Sequence, residues 1–466
     1  MIRYVLLPLA IVVMAVALWF GSDHVVAEVR PTPALRPQAL YHADPDHLWN
    51  RLHAALLVRV GPDGKAYGHD RLEPLLWHAS DHLTEGGAAD HLSEVLQEFL
   101  RDQGESAIED PLKRAILQRD LWQVANWMAR DAGKPPTQLE LVARAMRRLA
   151  LSPEQIARLP DNYAAAVKSK RYERRIDPGQ PSRVYLPPDL FEDRGPWVCV
   201  GRTDGPTAPQ HVASDNPFGN AAFLVFVKLP KGRGAGLAFV QALAAQKKPM
   251  LLPRIDPETG RTDDPTFNPE TPALPRGTEL ALVRRMMLID QSKRIVVSRL
   301  IESVQLRVLN VDPAAAPREL IFPMSPQQID LGKMSVFELQ LRRALLFADE
   351  SGGLTDTSTL ADFKTGFSTH AQDRFTQQPA TNGKQSDFPQ AAQVFSGRYA
   401  CVACHRSPTI YGTMSFQRYS PASERLSETS PPLFPVAAMT ASQVEQAAAR
   451  WAAAQKSWLV IKKAME

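Results

Sequence analysis

The spacing of apolar residues changes near residue 176 of this 466-residue chain, and that change limits it to folds that join helices to a sheet. From 45 to 175 the apolar positions recur at helical intervals. Asp44-Pro45-Asp46 opens a helix with Leu48, Leu52, Leu56 and Leu57 on one face. Ala88 to Leu100 repeats the pattern with Leu92, Val95, Leu96 and Phe99. Asp110-Pro111 starts a third helix carrying Leu112, Ile116, Leu121, Val124, Trp127 and Met128, which ends at Gly133 and Pro135-Pro136. Leu139 to Leu151 and Tyr163 to Lys170 supply two more, so this part is expected to be a helical bundle.

Beyond Asp177-Pro178-Gly179 the texture is that of strands. Trp197 to Val200, Ala221 to Leu229, Leu280 to Ile289, Arg294 to Val297 and Val304 to Leu309 are short runs rich in Val, Leu, Ile and Phe, bounded by Gly, Pro and Asp. Gly236 to Ala245 reads as a helix among them, and Pro253 to Gly277 as a long surface loop. Residues 176–330 are therefore expected to form an α+β unit with a mixed or antiparallel sheet. Residues 331–466 hold a helical or strand segment from Val336 to Phe347, a polar stretch, a loop from Ser420 to Pro435 and a closing helix from Thr440 to Ala464. The expected class is α+β and multidomain, ending in a mostly helical region.

The length allows two or three domains. With 54 Lys and Arg against 50 Asp and Glu, the net charge of +4 is thin and scattered. Nucleic-acid binding needs a basic stripe or tail, so it is excluded as a partner class.

The N-terminus bears on location. Arg3 is followed by an uncharged run from Tyr4 to Phe20, and Val25-Val26-Ala27 offers small residues to a signal peptidase. Residues 1–27 are read as a cleaved signal peptide or as an uncleaved membrane anchor, since the run is near the lower length limit for spanning a bilayer. Either reading puts the remainder in the periplasm or on the outer face of the cytoplasmic membrane. Residues 28–44, with Pro31, Pro33 and Pro37, read as an extended linker.

The chain has 3 cysteines, an odd number that argues against a disulfide framework. Two of them lie in Cys401-Val402-Ala403-Cys404-His405. Covalent haem attachment needs two thiols that add across the vinyl groups and a histidine directly after the second, ready to become the proximal iron ligand. One helical turn brings all three to the same edge of the porphyrin. A redox dithiol would be expected between a strand and a helix, and a structural zinc site would want a second Cys or His pair; neither context is present. Haem attachment also takes place outside the cytoplasm, in agreement with the export run. Cys199, in Trp197-Val198-Cys199-Val200, is read as a buried small hydrophobe.

This run, with Phe395 and Tyr399 just before it, resembles the attachment segment of the c-type cytochromes. The resemblance implies one covalent haem c on Cys401 and Cys404, with His405 as proximal ligand. It also implies a distal methionine downstream, for which Met439, just before Thr440-Ala441-Ser442, and Met414 are the candidates; both are also readable as packing residues. The stretches Leu159-Pro160-Asp161-Asn162-Tyr163 and Leu186-Pro187-Pro188-Asp189-Leu190-Phe191 resemble uncharacterised exported bacterial proteins, which implies no activity.

Other constellations carry less. His78 and His82 are spaced to share one helix face, with His69 and His91 nearby, but a third metal ligand is not evident. His42, His47 and His53 read as surface residues. Gly232-Arg233-Gly234-Ala235-Gly236 lacks the third glycine of a dinucleotide loop, since Leu237 stands there, and reads as a turn. Arg284, Arg285, Arg294, Arg299 and Arg307 are dense for one sheet and suited either to haem propionates or to solvent-facing strand positions. Three functions stay open: electron transfer with an unidentified redox partner, a haem enzyme or sensor with an open iron position, and an envelope scaffold with a peripheral haem.

Overall fold

The computed structural model describes residues 38–60, 66–72, 83, 87–129, 137–180, 182–202, 205–207, 220–246, 251–255, 262–267, 270–312, 334–357, 364–368, 393–396 and 436–466. Helix α1 (Leu48–Leu57) is capped by His47, whose side chain accepts from the Trp49 N–H, and β1 (Arg59–Val60) with β2 (Ala66–Tyr67) forms a small antiparallel pair after it. Helix α2 (Gly87–Arg101) turns Leu92, Val95, Leu96 and Phe99 inward. Helix α3 (Pro111–Met128) starts as its sequence dictates: Pro111 occupies the first turn and Asp110 accepts from the Leu112 N–H at 2.8 Å. Helices α4 (Gln138–Arg148), α5 (Pro153–Ala157) and α6 (Asn162–Lys168) complete this part, and α5 was not expected from the apolar spacing.

The sheet elements follow: β3 (Val198–Arg202), β4 (Ala221–Lys228), helix α7 (Arg233–Ala245), the paired β5 (Leu251–Ile255) and β6 (Thr262–Phe267), then β7 (Glu279–Ile289), β8 (Ile295–Leu309) and β9 (Met334–Leu341). Helix α8 (Arg343–Phe347), β10 (Leu354–Asp356), β11 (Lys364–Ser368), β12 (Gln393–Ser396), β13 (Val436–Met439), α9 (Ala441–Ala453) and α10 (Lys456–Ala464) end the chain. The main sheet has 7 strands in the order β10-β9-β8-β7-β4-β3-β13, with every neighbouring pair antiparallel. The fold is thus mixed α+β: N-terminal helices, a seven-stranded antiparallel sheet and C-terminal helices. Three of the strands, β9, β10 and β13, come from residues beyond 330, so the sheet is completed by the C-terminal part of the chain.

Two expectations change. The stretch read as a loop from Pro253 to Gly277 contains most of the β5–β6 pair, whose register shifts between Leu252 and Arg254 so that Pro253 falls at the bulge, where no ladder bond is asked of it. The two runs at 294–297 and 304–309 belong to one long strand, β8.

One face of the sheet packs beneath the helices. Leu224, Val283, Val304, Leu306 and Leu339 join Leu52, Phe99, Ile116, Trp122 and Met146 in a continuous core. The C-terminal helices enter the same core: the Trp458 ring lies 5.8 Å from that of Trp122, and Arg147 donates to the Met465 carbonyl at 2.7 Å. On the other face α7 lays Phe239, Val240 and Leu243 over Val198, Val225, Val227 and Leu280. Helix α9 opens with a capping box, Thr440 and Gln443 each serving the other's backbone N–H. Thr440→Ala is expected to lower the stability of the whole protein by about 1 kcal/mol in urea denaturation, with an unchanged slope. A shift below a few tenths would show that packing alone starts the helix.

Candidate functional site

Cys401, Cys404, His405 and Met414 lie outside the described residues, as do His78, His82 and residues 1–37. What the structure locates is the point where the chain rejoins the sheet after them. β13 pairs antiparallel with β3, setting Met439 opposite Cys199 and Ala437 opposite Gly201. Edge strand β13 needs a bare neighbour at this point, because a Cβ on Gly201 would fall on the Met439 sulfur and on Val444. Met439 is half-buried, with its thioether over Gly201 and against the main core. Cys199 is a free, buried thiol, 5% exposed, pushed up to about 12 by burial and by Glu445 and Asp193. It is inert as a nucleophile.

The five arginines separate. Arg294 is paired with Asp290 and Arg299 with Asp161, both largely in solvent. Arg285 is ion-paired with Glu445 on α9 and lies 4.7 Å over the Phe191 ring. Arg284 and Arg307 are buried at 7% and 6% exposure, on strands β7 and β8. Strand register sets them on the face that carries α7, but over the other half of it. One row across the strands reads Phe223, Arg284, Ser303, Gln340 and Thr355; the next reads Val225, Leu282, Gln305 and Glu338; a third reads Val227, Leu280, Arg307 and Val336. This face is therefore apolar over β3 and β4 and polar over β8, β9 and β10. Arg307 Nε donates to Gln305 Oε1 at 2.9 Å, and Gln340 Nε2 donates to Glu338 Oε1 at 3.2 Å. Burial raises the Glu338 carboxyl above its usual range, against the pull of Gln340, Arg284 and Arg307. Gln340 Oε1 is buried without a hydrogen-bond partner, an orphan that an added donor would satisfy.

Beneath the sheet is a second polar cluster that was not foreseen from the sequence. Asp120 on α3 is fully buried and receives Arg343 through both oxygens, Nη2 to Oδ1 at 2.6 Å and Nε to Oδ2 at 3.1 Å. Tyr41 Oη donates to Oδ2 at 3.3 Å, and His53 Nδ1 lies 3.4 Å from the same oxygen. Burial pushes the Asp120 carboxyl up, but Arg343, with His53 and Arg119, holds it well below the usual range. His53, expected at the surface, is 1% exposed. Its Nε2 lies 2.8 Å from the His69 carbonyl, which can only accept, so Nε2 carries a proton. Burial lowers its pKa and brings that of His69 to about 4, where His53 adds to the effect. Arg119, next along α3, turns to Glu302 on β8 at 2.8 Å, and Glu302 also pairs with Arg284.

One signal for this cluster was present. The apolar residues of α3 cover every side of the helix (Ile116, Leu117, Leu121, Trp122, Val124), so Gln118, Arg119, Asp120 and Gln123 between them had to be buried too. Among the described residues no group of three or more His, Cys, Asp or Glu could hold a metal ion, and no helix is long and apolar enough to cross a membrane. His91 is exposed, and Gly232, at φ +83°, is the N-terminal cap of α7. Comparison with protein-family models, with curated proteins and with solved structures finds no match to this chain.

Proposed function

We propose that this chain is an exported protein that carries one covalent haem c on Cys401 and Cys404, with His405 as proximal ligand, and that it transfers electrons to or from a redox partner. The observation that carries this reading is the run Cys401-Val402-Ala403-Cys404-His405 downstream of an export segment. Its donor set, two thiols and an adjacent imidazole, is the set that thioether attachment and iron ligation need. When bound, the haem supplies one-electron chemistry, and the surrounding chain tunes its potential through burial, charge and the sixth ligand. In this reading residues 331–466 have two tasks: they bear the haem and they complete the sheet through β9, β10 and β13. The protein then works in the periplasm, or on the outer face of the cytoplasmic membrane if residues 1–27 stay as an anchor.

The sixth ligand divides two versions of this proposal. Met439 or Met414 on the iron gives a six-coordinate electron carrier. The seat of Met439, with its thioether over Gly201 in a paired strand, supports the second version, in which the iron keeps an open position for a small molecule. Full-length protein made in a host with haem-attachment machinery is expected to stain for covalent haem on a denaturing gel and to give a c-type pyridine haemochrome. Both signals should vanish in Cys401→Ala/Cys404→Ala. An exported protein that never stains would end the proposal, and a low-spin ferric spectrum insensitive to Met439→Leu and Met414→Leu would remove both methionines as ligands.

A further inference from the structure

Residues 40–44 are held to the helices by one buried side chain. Asn50 on α1 is 1% exposed, and its Oδ1 accepts from the Leu40, Tyr41 and His42 N–H groups at 3.1, 2.8 and 3.4 Å. Its Nδ2 donates to the His42 and Asp44 carbonyls at 2.9 and 2.6 Å. Lys113 on α3 donates to the Tyr41 carbonyl at 2.8 Å, and the Tyr41 ring lies 5.2 Å from that of Phe347 on α8. This stretch is a strap across the ends of α1 and α3, wound on a single amide.

Two imidazoles close it. His42 Nδ1 accepts from the Asp44 N–H at 3.1 Å, and His47 Nδ1 accepts from the Trp49 N–H at 3.2 Å. Both nitrogens are therefore unprotonated, because each faces a group that can only donate. The two rings are stacked, 4.2 Å between centroids. A proton on either Nδ1 turns an acceptor into a donor, and protons on both would lay cation on cation. His47 is also the N-terminal cap of α1, where the helix dipole disfavours positive charge.

The charges around the stack leave this balance intact. Burial and then His42 lower the His47 pKa; Asp44 opposes them, and Lys113 adds to the lowering. Asp46, on the strap, is exposed, and Arg51, one turn along α1, is paired with Glu98 of α2. His53 and His69 lie deeper, around Asp120 and Arg343, where protonation loosens the core and not the strap alone.

We propose that residues 38–47 form an acid-released strap, which the His42–His47 stack closes on the helices at neutral pH and which protonation of the stack lets go. Because the His47 value in the folded state is below its unfolded value of about 6.5, closure is complete above that pH and is withdrawn as pH falls through it. Release frees ten residues, up to about 33 Å of extended chain, between the body and the residues that precede the strap. In the anchored form of the export reading, the body would then stand farther from the membrane. That consequence rests on the export reading, whereas the strap itself does not.

Hydrogen exchange read by mass spectrometry on the full-length protein, corrected for the intrinsic rate, tests this. Between about pH 7.5 and about pH 5.5, peptides over residues 38–51 are expected to lose about tenfold more protection than peptides of β7 and β8. His42→Asn/His47→Ser supplies oxygens that accept from the same N–H groups without titrating in this range, and should keep the strap closed at the lower pH. Asn50→Ala should open it at both. Strap and sheet losing protection in step would overturn the proposal, since acid would then act on the fold as a whole. An equal loss in wild type and in His42→Asn/His47→Ser would also overturn it, by placing the trigger outside the stack. So would a wild-type strap that stays protected at the lower pH.

Discussion

Asp120→Ala is expected to lose about 3–5 kcal/mol of stability, enough to leave much of the protein unfolded at growth temperature. The size follows from what is left behind. Arg343 is 1% exposed, and both oxygens that receive it belong to Asp120. Its other bonds go to the Arg71 carbonyl at 2.8 Å and the Asp70 carbonyl at 3.5 Å, neutral acceptors that cannot offset a buried charge. Tyr41 loses its acceptor in the same step. Asp120→Asn keeps the shape and one acceptor but no charge, and is expected to cost less. Urea denaturation of the three proteins checks the order. A loss below about 1 kcal/mol for Asp120→Ala would mean that water enters the cluster readily.

The same cluster sets the acid side of the stability curve. His53 and His69 both have folded pKa values below their unfolded value of about 6.5. Each therefore contributes stability that is complete above that pH and is withdrawn as pH falls, for His69 between about 6.5 and about 4. Asp120, also depressed in the folded state, contributes stability present above the unfolded carboxylate value and lost below it. Stability should thus decline in two stages on acidification, the histidines first. His53→Gln is expected to flatten the first stage, as read from urea midpoints between pH 7 and pH 4.

How much of this was legible in the sequence follows from which contacts are local. The starts of α3 and α9 were readable because Asp110-Pro111 and Thr440 act on backbone groups two or three residues away. The core strands were readable where their apolar runs were unbroken. Strand β8 was read as two pieces because Ser298, Arg299, Glu302 and Ser303 interrupt it; three of these four are buried, and Ser298 satisfies itself on the Met286 carbonyl. Asp120 and Arg343 are 223 residues apart, so no local pattern announces their pairing. His53 was misread for the same reason: its burial is decided by residues brought from α3 and α8. The arginines were visible as a group, but only strand register separates Arg284 and Arg307 from the three that face carboxylates elsewhere. The run Cys401-Val402-Ala403-Cys404-His405 carries the proposed haem reading in five consecutive residues, which lie outside the described part of the chain.

Glu302→Ala should be as damaging as loss of Asp120, at about 3–5 kcal/mol, because it takes one shared carboxylate from two buried guanidiniums at once. Arg119 reaches Glu302 through Nε at 2.8 Å and Nη2 at 3.2 Å, and Arg284 meets its second oxygen from the sheet. Glu302 thereby ties the helical layer to the face that bears Arg307. Arg119→Leu/Glu302→Leu removes both members of the main pair, and should recover more than about 1 kcal/mol relative to the sum of the single changes. Additive losses would show that the pair has no mutual stabilisation. Glu302→Gln, which keeps an acceptor for Arg119, is expected to be the milder variant.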